Sequence, residues 1–322
     1  MNSVLIIADK DDPHAQAVSD FASKKADVIW FDSFTFSTDV SITFKSENGA
    51  SEAYLKIPYR SALKMSDISG IFYRDYSPPN FPDGMDEKAY AVFRSEHADT
   101  FWGSLRLAKN AKWINHPIYQ EELLLKLNQL QVANELGLET PPTIVTNEPQ
   151  EAINFYRSYS EVICKLLSHD FYGYEPEDEL AVYTSLVDES TLQMYVDDIS
   201  KCPTMFQART PKLMDIRVNV VGDKVFTAAI FSQDVQESCV DFRLVGNLTK
   251  LQTVSHVLPK HIEQSCINML KKYNLNFGAF DFALTPDGRY VFFEVNLIGN
   301  WLWLEEMVGL GISEAIADLL TS

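Results

Sequence analysis

Short apolar runs alternate with amphipathic stretches along the first third of the chain. The pattern predicts strands at 4–8, 28–31, 54–57 and 71–73, and helices at 15–23 and 87–108. Alternation of strand and helix indicates an α/β layer. Residues 9–14, the first strand-to-helix turn, contain no glycine. A Rossmann-type dinucleotide site is therefore not expected.

The rest of the chain divides at changes in this pattern. We predict a helix at 121–136, with an apolar stripe of Leu123, Leu127, Leu130 and Ala133, and then an apolar strand at 161–167. A polar and acidic loop follows at 168–179, and another strand at 181–187. Strands at 215–221 and 224–231 flank Gly222-Asp223, which indicates a hairpin. We divide the chain into an N-terminal domain at 1–118, a central subdomain at 119–203 and a C-terminal subdomain at 204–322.

A second hairpin, at 277–296, carries the polar residues on which the functional interpretation depends. Two apolar runs flank Pro286-Asp287-Gly288, and Asp-Gly in this position favours a tight turn. A two-residue turn pairs Asp281 with Glu294 and places Asn296 on the same face. The opposite face would then carry Val291, Phe293 and Val295. A three-residue loop would instead place Asp281 on the other face.

Two carboxylates and a carboxamide on one face offer only oxygen ligands. Such a set suits a hard divalent ion that is shared with a phosphate chain, as Mg²⁺ usually is. The alternative is a surface hairpin whose acidic side chains are solvated. The neighbouring aromatic residues favour the first interpretation, because carboxylates among so many rings need a partner. These residues are Phe280, Phe282, Phe292 and Phe293.

Several cationic residues occupy positions from which they could bind an anion. Lys165 is the one lysine inside the apolar strand predicted at 161–167, and lysine is rarely buried without an anionic partner. Arg217 shares a strand face with Asp215 and Asn219, and Arg243 repeats this alternation. Salt bridges with neighbouring carboxylates are the alternative for both arginines, and equally for Arg74 at a strand end. Lys126, on a helix, is a weaker candidate.

Composition excludes some classes of protein. The chain has 46% hydrophobic and 22% charged residues, and a formal net charge of −18 argues against a general nucleic-acid binder. No apolar run is long enough for a membrane span, and the N-terminus does not resemble a signal peptide. The four cysteines are far apart in the sequence, which favours reduced thiols in a cytoplasmic protein over a disulfide framework. No arrangement of Ser, His, Asp or Cys indicates a protein nucleophile.

The order of these features resembles the ATP-grasp superfamily. The chain has a lysine on a helix, Lys126, and then a lysine in a strand, Lys165. They are followed by Asp-x-Arg-Val at 215–218 and by Asp281 with Glu-x-Asn at 294–296. The segments 126–133, 138–147 and 294–305 further resemble the microviridin-type ligases, or graspetide synthetases, which cyclise ribosomally made peptides. The Tyr73-Arg74 segment also fits that family's N-terminal domain. The resemblance implies an α/β ATP-grasp fold behind a pre-ATP-grasp domain.

The resemblance also implies cofactors, partners and a role for each candidate residue. Asp281, Glu294 and Asn296 would hold Mg²⁺, and Lys126 and Lys165 would contact the ATP phosphates. Phe206 and Gln207 would line the adenine pocket, while Arg217 would stabilise the transferring phosphoryl group. Arg243 and Arg74 would hold an acidic side chain of a precursor peptide. The loop at 168–179 is the candidate lid, and a homodimer is expected.

The chain departs from the family's usual sequence at two places. The family usually has Asn-Pro before Gly-Gln-Trp, whereas this chain has Asn296-Leu-Ile and then Gly299-Asn300-Trp301. Asp75 stands where a second arginine is common, so the role of an N-terminal arginine pair is open.

A ligase acting on free amino acids or small peptides is the first alternative function. A non-catalytic nucleotide-binding regulator is the second, and it would be expected to lack the lysines or acidic ligands.

Overall fold

The chain is described by a computed structural model that covers residues 2–36, 40–77, 79, 84–168, 171–172, 180–181 and 183–322. Its N-terminal part is built on a parallel sheet in the order β2-β1-β6-β7. A small antiparallel sheet, β3-β4-β5, is attached to it. The strands and helices are β1 Ser3–Ile7, α1 Pro13–Ala22, β2 Asp27–Phe31, β3 Ser41–Glu47, β4 Ala50–Lys56, β5 Leu63–Lys64, β6 Ile68–Tyr73, α2 Glu87–Leu105 and β7 Lys112–Ile114. The α/β prediction for this region is confirmed.

The central part is a four-stranded antiparallel sheet in the order β12-β9-β13-β8, with two helices packed on one face. Its elements are α3 Pro117–Leu124, α4 Lys126–Glu135, β8 Thr143–Thr146, α5 Pro149–Ser158, β9 Val162–Lys165, β10 Phe171–Tyr172, β11 Leu180–Ala181, β12 Ser185–Val187, α6 Glu189–Ile199 and β13 Thr204–Ala208. The two short strands β10 and β11 pair with each other.

The C-terminal part is an antiparallel sheet in the order β16-β15-β14-β17-β18. Its elements are β14 Met214–Val221, β15 Lys224–Ile230, β16 Thr253–Ser255, α7 Lys260–Lys272, β17 Phe277–Leu284, β18 Tyr290–Asn296, α8 Leu302–Val308 and α9 Ile312–Thr321. Val221 pairs with Lys224 across the predicted turn, where Gly222 has a φ of +58°. The first predicted hairpin is therefore confirmed.

One hydrophobic cluster joins the two ends of the chain. Ile6 and Phe72 of the N-terminal sheet pack in the same buried cluster as Trp301 and Ile316. Gly70 allows the close approach of α9, because a Cβ atom there would lie 2.3 Å from the carbonyl oxygen of Leu320. The N-terminal sheet and the C-terminal sheet are thus packed onto a common helix. Among the described residues, no helix is both long and apolar enough to cross a membrane.

The hairpin of β17 and β18 has a loop that differs from the prediction. Thr285 and Arg289 close a three-residue loop, with the Thr285 amide donating to the Arg289 carbonyl at 2.9 Å. Gly288 has a φ of +84°, which is typical of the last position in such loops. The prediction of a two-residue turn is wrong, because Leu284 pairs with Tyr290.

A β-bulge nevertheless restores the predicted pairing of the acidic residues. Phe282 pairs with Phe292 and Asp281 pairs with Glu294, so that Phe293 is the extra residue. Side chains 293 and 294 consequently follow each other on one face, while Val295 returns to the hydrophobic core. The prediction of an opposite face is therefore confirmed for Val295 and wrong for Val291 and Phe293, because the bulge interrupts the alternation.

Candidate active site

The carboxylates of Asp281 and Glu294 lie opposite each other on neighbouring strands, each beside a cation. Arg217 pairs with Asp281 across β14 and β17, and its Nη1 lies 2.7 Å from Asp281 Oδ2. Lys126 Nζ lies 3.1 Å from Glu294 Oε2. The side chains of these four residues form a polar cluster on one face of the C-terminal sheet.

The two carboxyls differ in their electrostatic environment. Burial acts to raise the pKa of Glu294, but the charges of Lys126 and Lys165 outweigh it and lower the pKa to about 2. Burial raises the pKa of Asp281, and the charge of Glu294 adds to this effect against the opposing charge of Arg217. Glu294 is thus held as an anion at neutral pH, as a metal ligand must be.

Lys126 reaches Glu294 because the predicted helix at 121–136 is broken. Leu125 has an extended backbone (φ −74°, ψ 110°), so that α3 ends at Leu124 and α4 begins at Lys126. The prediction of one continuous helix and stripe is wrong, since Leu127 is 52% exposed. At the start of α4, Lys126 Nζ also donates to the carbonyl of Leu166 at 3.0 Å. It thereby connects the central sheet to the acidic strand.

Gln129, which the sequence analysis did not select, binds the edge of that strand. Its Nε2 donates to the carbonyl of Val295 at 2.9 Å, and its Oε1 accepts from the Val295 amide at 2.9 Å. Nε2 also donates to the carbonyl of Leu123 at 2.7 Å, and the side chain is buried. Gln129 lies outside the predicted apolar stripe of the helix at 121–136, so the local pattern offered no signal for this contact.

Lys165 and Gln207 share one face of the central sheet, and Phe206 lies on the other. Lys165 pairs with Met205, two residues from Gln207 on the same strand. Phe206 packs among the residues beneath α5 and α6, including Val162 and Leu192. Its predicted place in the adenine pocket is therefore wrong, because strand alternation turns its side chain away from Lys165.

The remaining contacts of these two polar residues connect them to the cluster. Lys165 Nζ lies 6.0 Å from the centre of the Phe293 ring, and its charge acts on Glu294. Gln207 Nε2 donates to Thr143 Oγ1 at 2.8 Å. Its buried Oε1 accepts no hydrogen bond from the residues that the structure describes. This oxygen is available to a ligand that offers a donor.

Arg243 lies beside the cluster and is bound by Asp241. Its Nε and Nη2 bind the two oxygens of Asp241 at 2.9 and 2.7 Å. Its side chain is 36% exposed, and its charge reaches both Asp281 and Glu294. The bidentate pair with Asp241 thus lies at the border between the cluster and solvent.

Arg74 is placed differently from the prediction. Its Nε lies 3.3 Å from Asp12 Oδ2, while Nη1 donates to the carbonyl of Ile298 at 2.8 Å and Nη2 to Asn300 Oδ1 at 3.2 Å. The residue is 9% exposed. Its predicted contact with a substrate carboxylate is therefore wrong, because its donors are used within the chain.

The oxygen donors present fit a hard divalent cation. Asp281 and Glu294 face each other, and Asn296 follows on the same strand with an exposed side chain. Its Oδ1 accepts from the Ile298 amide at 2.9 Å and keeps a second lone pair. Within the described residues, no group of three or more His, Cys, Asp or Glu side chains is arranged as a metal site. The candidate site thus consists of two carboxylates and one amide. Most of the candidate lid at 168–179 lies outside the described residues.

Comparison with known proteins identifies the family. Residues 3–121 match the family model of the MvdD pre-ATP grasp domain. The structure is similar to a RiPP-associated ATP-grasp ligase from Chryseobacterium gregarium, with a TM-score of 0.88 and 30% sequence identity, over 99% of this chain and 96% of that one. RiPPs are ribosomally synthesised and post-translationally modified peptides. The chain belongs to the RiPP-associated ATP-grasp ligases.

Two macrocyclases from Microcystis aeruginosa MRC extend this likeness to other members of the family. MdnC has a TM-score of 0.81 at 28% identity, and MdnB has 0.77 at 30%; each match covers 99% of both chains. A comparison with curated protein sequences gives no match. The motif resemblance, the ATP-grasp fold with its N-terminal pre-ATP-grasp domain, and the assignment as an ATP-grasp ligase are thereby confirmed.

Proposed function

We propose that this ATP-grasp ligase activates Asp or Glu side chains of a precursor peptide and joins them to Ser or Thr hydroxyls or to Lys amines of the same peptide. The observation that carries the proposal is the opposed pair of Asp281 and Glu294 between Lys126 and Arg217. The Chryseobacterium gregarium ligase is in complex with ADP and a leader and core peptide, and MdnC is bound to the precursor peptide MdnA.

Three residues would hold Mg²⁺ in this proposal. Asp281, Glu294 and Asn296 offer the oxygen ligands that Mg²⁺ prefers, and the low pKa of Glu294 keeps that ligand charged. The bound ion would neutralise charge on the phosphate chain of ATP. Lys126 and Lys165, whose charges both act on Glu294, would contact the same phosphates. Gln207 would line the adenine pocket, where its Oε1 could accept from an exocyclic amine.

The activation step needs charge stabilisation and no protein nucleophile. An oxygen of the substrate carboxylate attacks the γ-phosphorus, and the bond from that phosphorus to the bridging oxygen of ADP breaks. Arg217 would stabilise the negative charge of the transferring group, and Arg243 would hold the reacting carboxylate. The products are an acyl phosphate on the peptide and ADP.

The second step closes the ring. A hydroxyl oxygen or an amine nitrogen of the peptide attacks the carbonyl carbon, the bond to the phosphate oxygen breaks, and a proton leaves the nucleophile. The peptide has then lost the elements of one water molecule for each ω-ester or ω-amide formed. Phosphate is a good leaving group and oxide is not, which is why ATP is required.

The test is mass spectrometry of a candidate precursor peptide after incubation with the enzyme, ATP and Mg²⁺. We expect the loss of one water mass per ring, and we expect this loss to disappear in Glu294→Gln. Glu87→Gln, an exposed residue at the start of α2, is the matched control and should retain activity. Alkaline or methanolic cleavage then separates esters from amides.

Other outcomes would contradict the proposal. ADP release with free amino acids, and no change in the peptide, would indicate the free-substrate ligase. ATP binding without any hydrolysis would indicate the regulatory protein. A homodimer and a cytoplasmic location are also proposed, and light scattering of the purified chain tests the first of these.

A further inference from the structure

The loop that follows β18 lies between two arginines from different parts of the chain. Arg74, at the end of β6 in the N-terminal sheet, donates to the Ile298 carbonyl at 2.8 Å and to Asn300 Oδ1 at 3.2 Å. Its guanidinium carbon lies 5.3 Å from the centre of the Trp301 ring, and Asp12 supplies the countercharge. Arg74 therefore fixes both ends of the segment 298–301.

Arg217 contacts the same segment from the other side. Its Nη2 donates to the Asn300 carbonyl at 3.4 Å, while its Nη1 binds Asp281. The Gly299 backbone lies close to this guanidinium, because a Cβ atom there would be 2.9 Å from Arg217 Nη2 and 2.5 Å from Ala279 Cβ. Any side chain at this position would have to displace either the loop or the arginine.

Asn300 is thus shared between the two arginines. Its side-chain oxygen accepts from Arg74 and its main-chain oxygen accepts from Arg217. Trp301, the next residue, is fully buried and donates from Nε1 to Ser313 Oγ at 2.9 Å. Ser313 in turn binds both carboxylate oxygens of Glu305, at 2.6 and 2.7 Å. The loop is consequently held at its far end as well.

We propose that Arg74 is a positioning residue, which acts through the 298–301 loop to set the orientation of the Arg217 guanidinium. The proposal rests on the proposed function for the role of Arg217 at the terminal phosphate. In this proposal Arg74 does not bind the substrate, and the N-terminal domain takes part in phosphoryl transfer through Arg74. Asp281 binds one nitrogen of the Arg217 guanidinium and the Asn300 carbonyl binds a second, so the plane in which the remaining N–H groups meet a ligand is fixed.

The test uses nucleotide binding by the full chain and does not need the peptide. Dissociation constants for AMPPNP and ADP, each with Mg²⁺, are measured by isothermal titration calorimetry. Only AMPPNP carries a γ-phosphate, the group that Arg217 would contact, so we expect Arg217→Gln to reduce the preference for AMPPNP over ADP about tenfold. Arg74→Lys and Gly299→Ala should reduce it in the same direction, by about threefold to tenfold.

Controls separate positioning from folding. Gly103→Ala, in α2, introduces the same methyl group where nothing lies within 4 Å, and it should leave the preference unchanged. Unfolding temperatures are measured for every variant, and Asn300→Leu serves as a further variant if Gly299→Ala does not fold. Arg74→Lys in the Arg217→Gln background should cause no further loss, because both changes would act through one guanidinium.

The outcomes distinguish the two proposals. If Arg217→Gln reduces the preference while Arg74→Lys and Gly299→Ala keep the wild-type value, the positioning role is overturned and the proposed function stands. Additive losses in the double variant would also overturn it. If Arg217→Gln leaves the preference unchanged, the assigned role of Arg217 is lost, and the positioning role with it.

Discussion

The side-chain amide of Gln129 binds both the amide and the carbonyl of Val295, and so replaces a neighbouring strand at the edge of β18. Val295 follows Glu294 directly, and Gln129 follows Lys126 by one helical turn. The helix therefore contacts the acidic strand twice, once through an ion pair and once through this amide.

Gln129→Met should release this edge of the sheet. The change keeps the length of the side chain and removes three buried hydrogen bonds, which leaves main-chain groups of Val295 unsatisfied. We expect a loss of about 2–3 kcal/mol in the free energy of unfolding and weaker binding of Mg²⁺–ATP. Urea unfolding and calorimetry measure the two effects. Gln131→Met, on the exposed face of the same helix, is the control.

Lys126→Met should weaken nucleotide binding, because it removes a cation from the proposed phosphate site and leaves Glu294 with less compensating charge. We expect an increase of at least about tenfold in the dissociation constant for Mg²⁺–ATP. Lys109→Met, an exposed residue outside the cluster, should bind as the wild type does. Equal affinities in the two variants would remove Lys126 from the proposed site.

Substitutions of Phe206 and of Gln207 should affect different properties, the first the stability of the chain and the second nucleotide binding. Phe206→Ala opens a cavity beneath α5 and α6, and we expect it to cost about 3–5 kcal/mol of unfolding free energy with little direct effect on nucleotide affinity. Gln207→Met should instead weaken nucleotide binding at a small cost in stability. Chemical unfolding, with nucleotide titration under conditions where each variant is folded, tests the pair. A specific loss of affinity in Phe206→Ala would contradict the alternation of β13.

His14 should make the stability of the chain depend on pH. Burial, and then the charge of Arg74, lower the pKa of His14 from 6.5 to about 4 in the folded state. As the pH falls, the unfolded chain therefore binds this proton before the folded chain does. The contribution of the neutral imidazole to the free energy of unfolding is complete above pH 6.5 and decreases as the pH falls from 6.5 to 4. The pKa difference corresponds to about 3 kcal/mol.

His14→Leu should therefore lose stability less steeply than the wild type over that pH range. Unfolding by urea at several pH values measures the slopes. Parallel curves for His14→Leu and the wild type would exclude the histidine as the cause.

Much of the fold could be predicted from local patterns, and the exceptions have physical causes. The strands of both larger sheets follow apolar runs, and Asp281 was correctly paired with Glu294. The break at Leu125 was missed because α3 and α4 are both helical and the interruption is one residue long. Gln129 was missed because its partner, a main-chain edge distant in sequence, leaves no trace in the local pattern.

The candidate site could also be predicted in part from local patterns. Residues whose strand registers were correct, such as Asp281, Glu294 and Arg217, do lie together. Phe206 was misplaced, because two adjacent strand residues cannot both face one pocket. Arg74 was assigned to substrate, whereas it binds Asp12 and two oxygens, of Ile298 and Asn300, that lie more than 200 positions away. Tertiary contacts of that kind cannot be read from a motif.

The extra residue in β18 also determines which changes in chain length the hairpin can absorb. Phe292 faces Phe282 and Glu294 faces Asp281, so both pairs could form with no residue between them. A deletion of Phe293 would therefore keep the two carboxylates opposed and remove only the ring near Lys165. A deletion of Val291 would instead turn the following side chains to the other face. The hairpin can therefore lose its bulged residue and still keep its acidic pair.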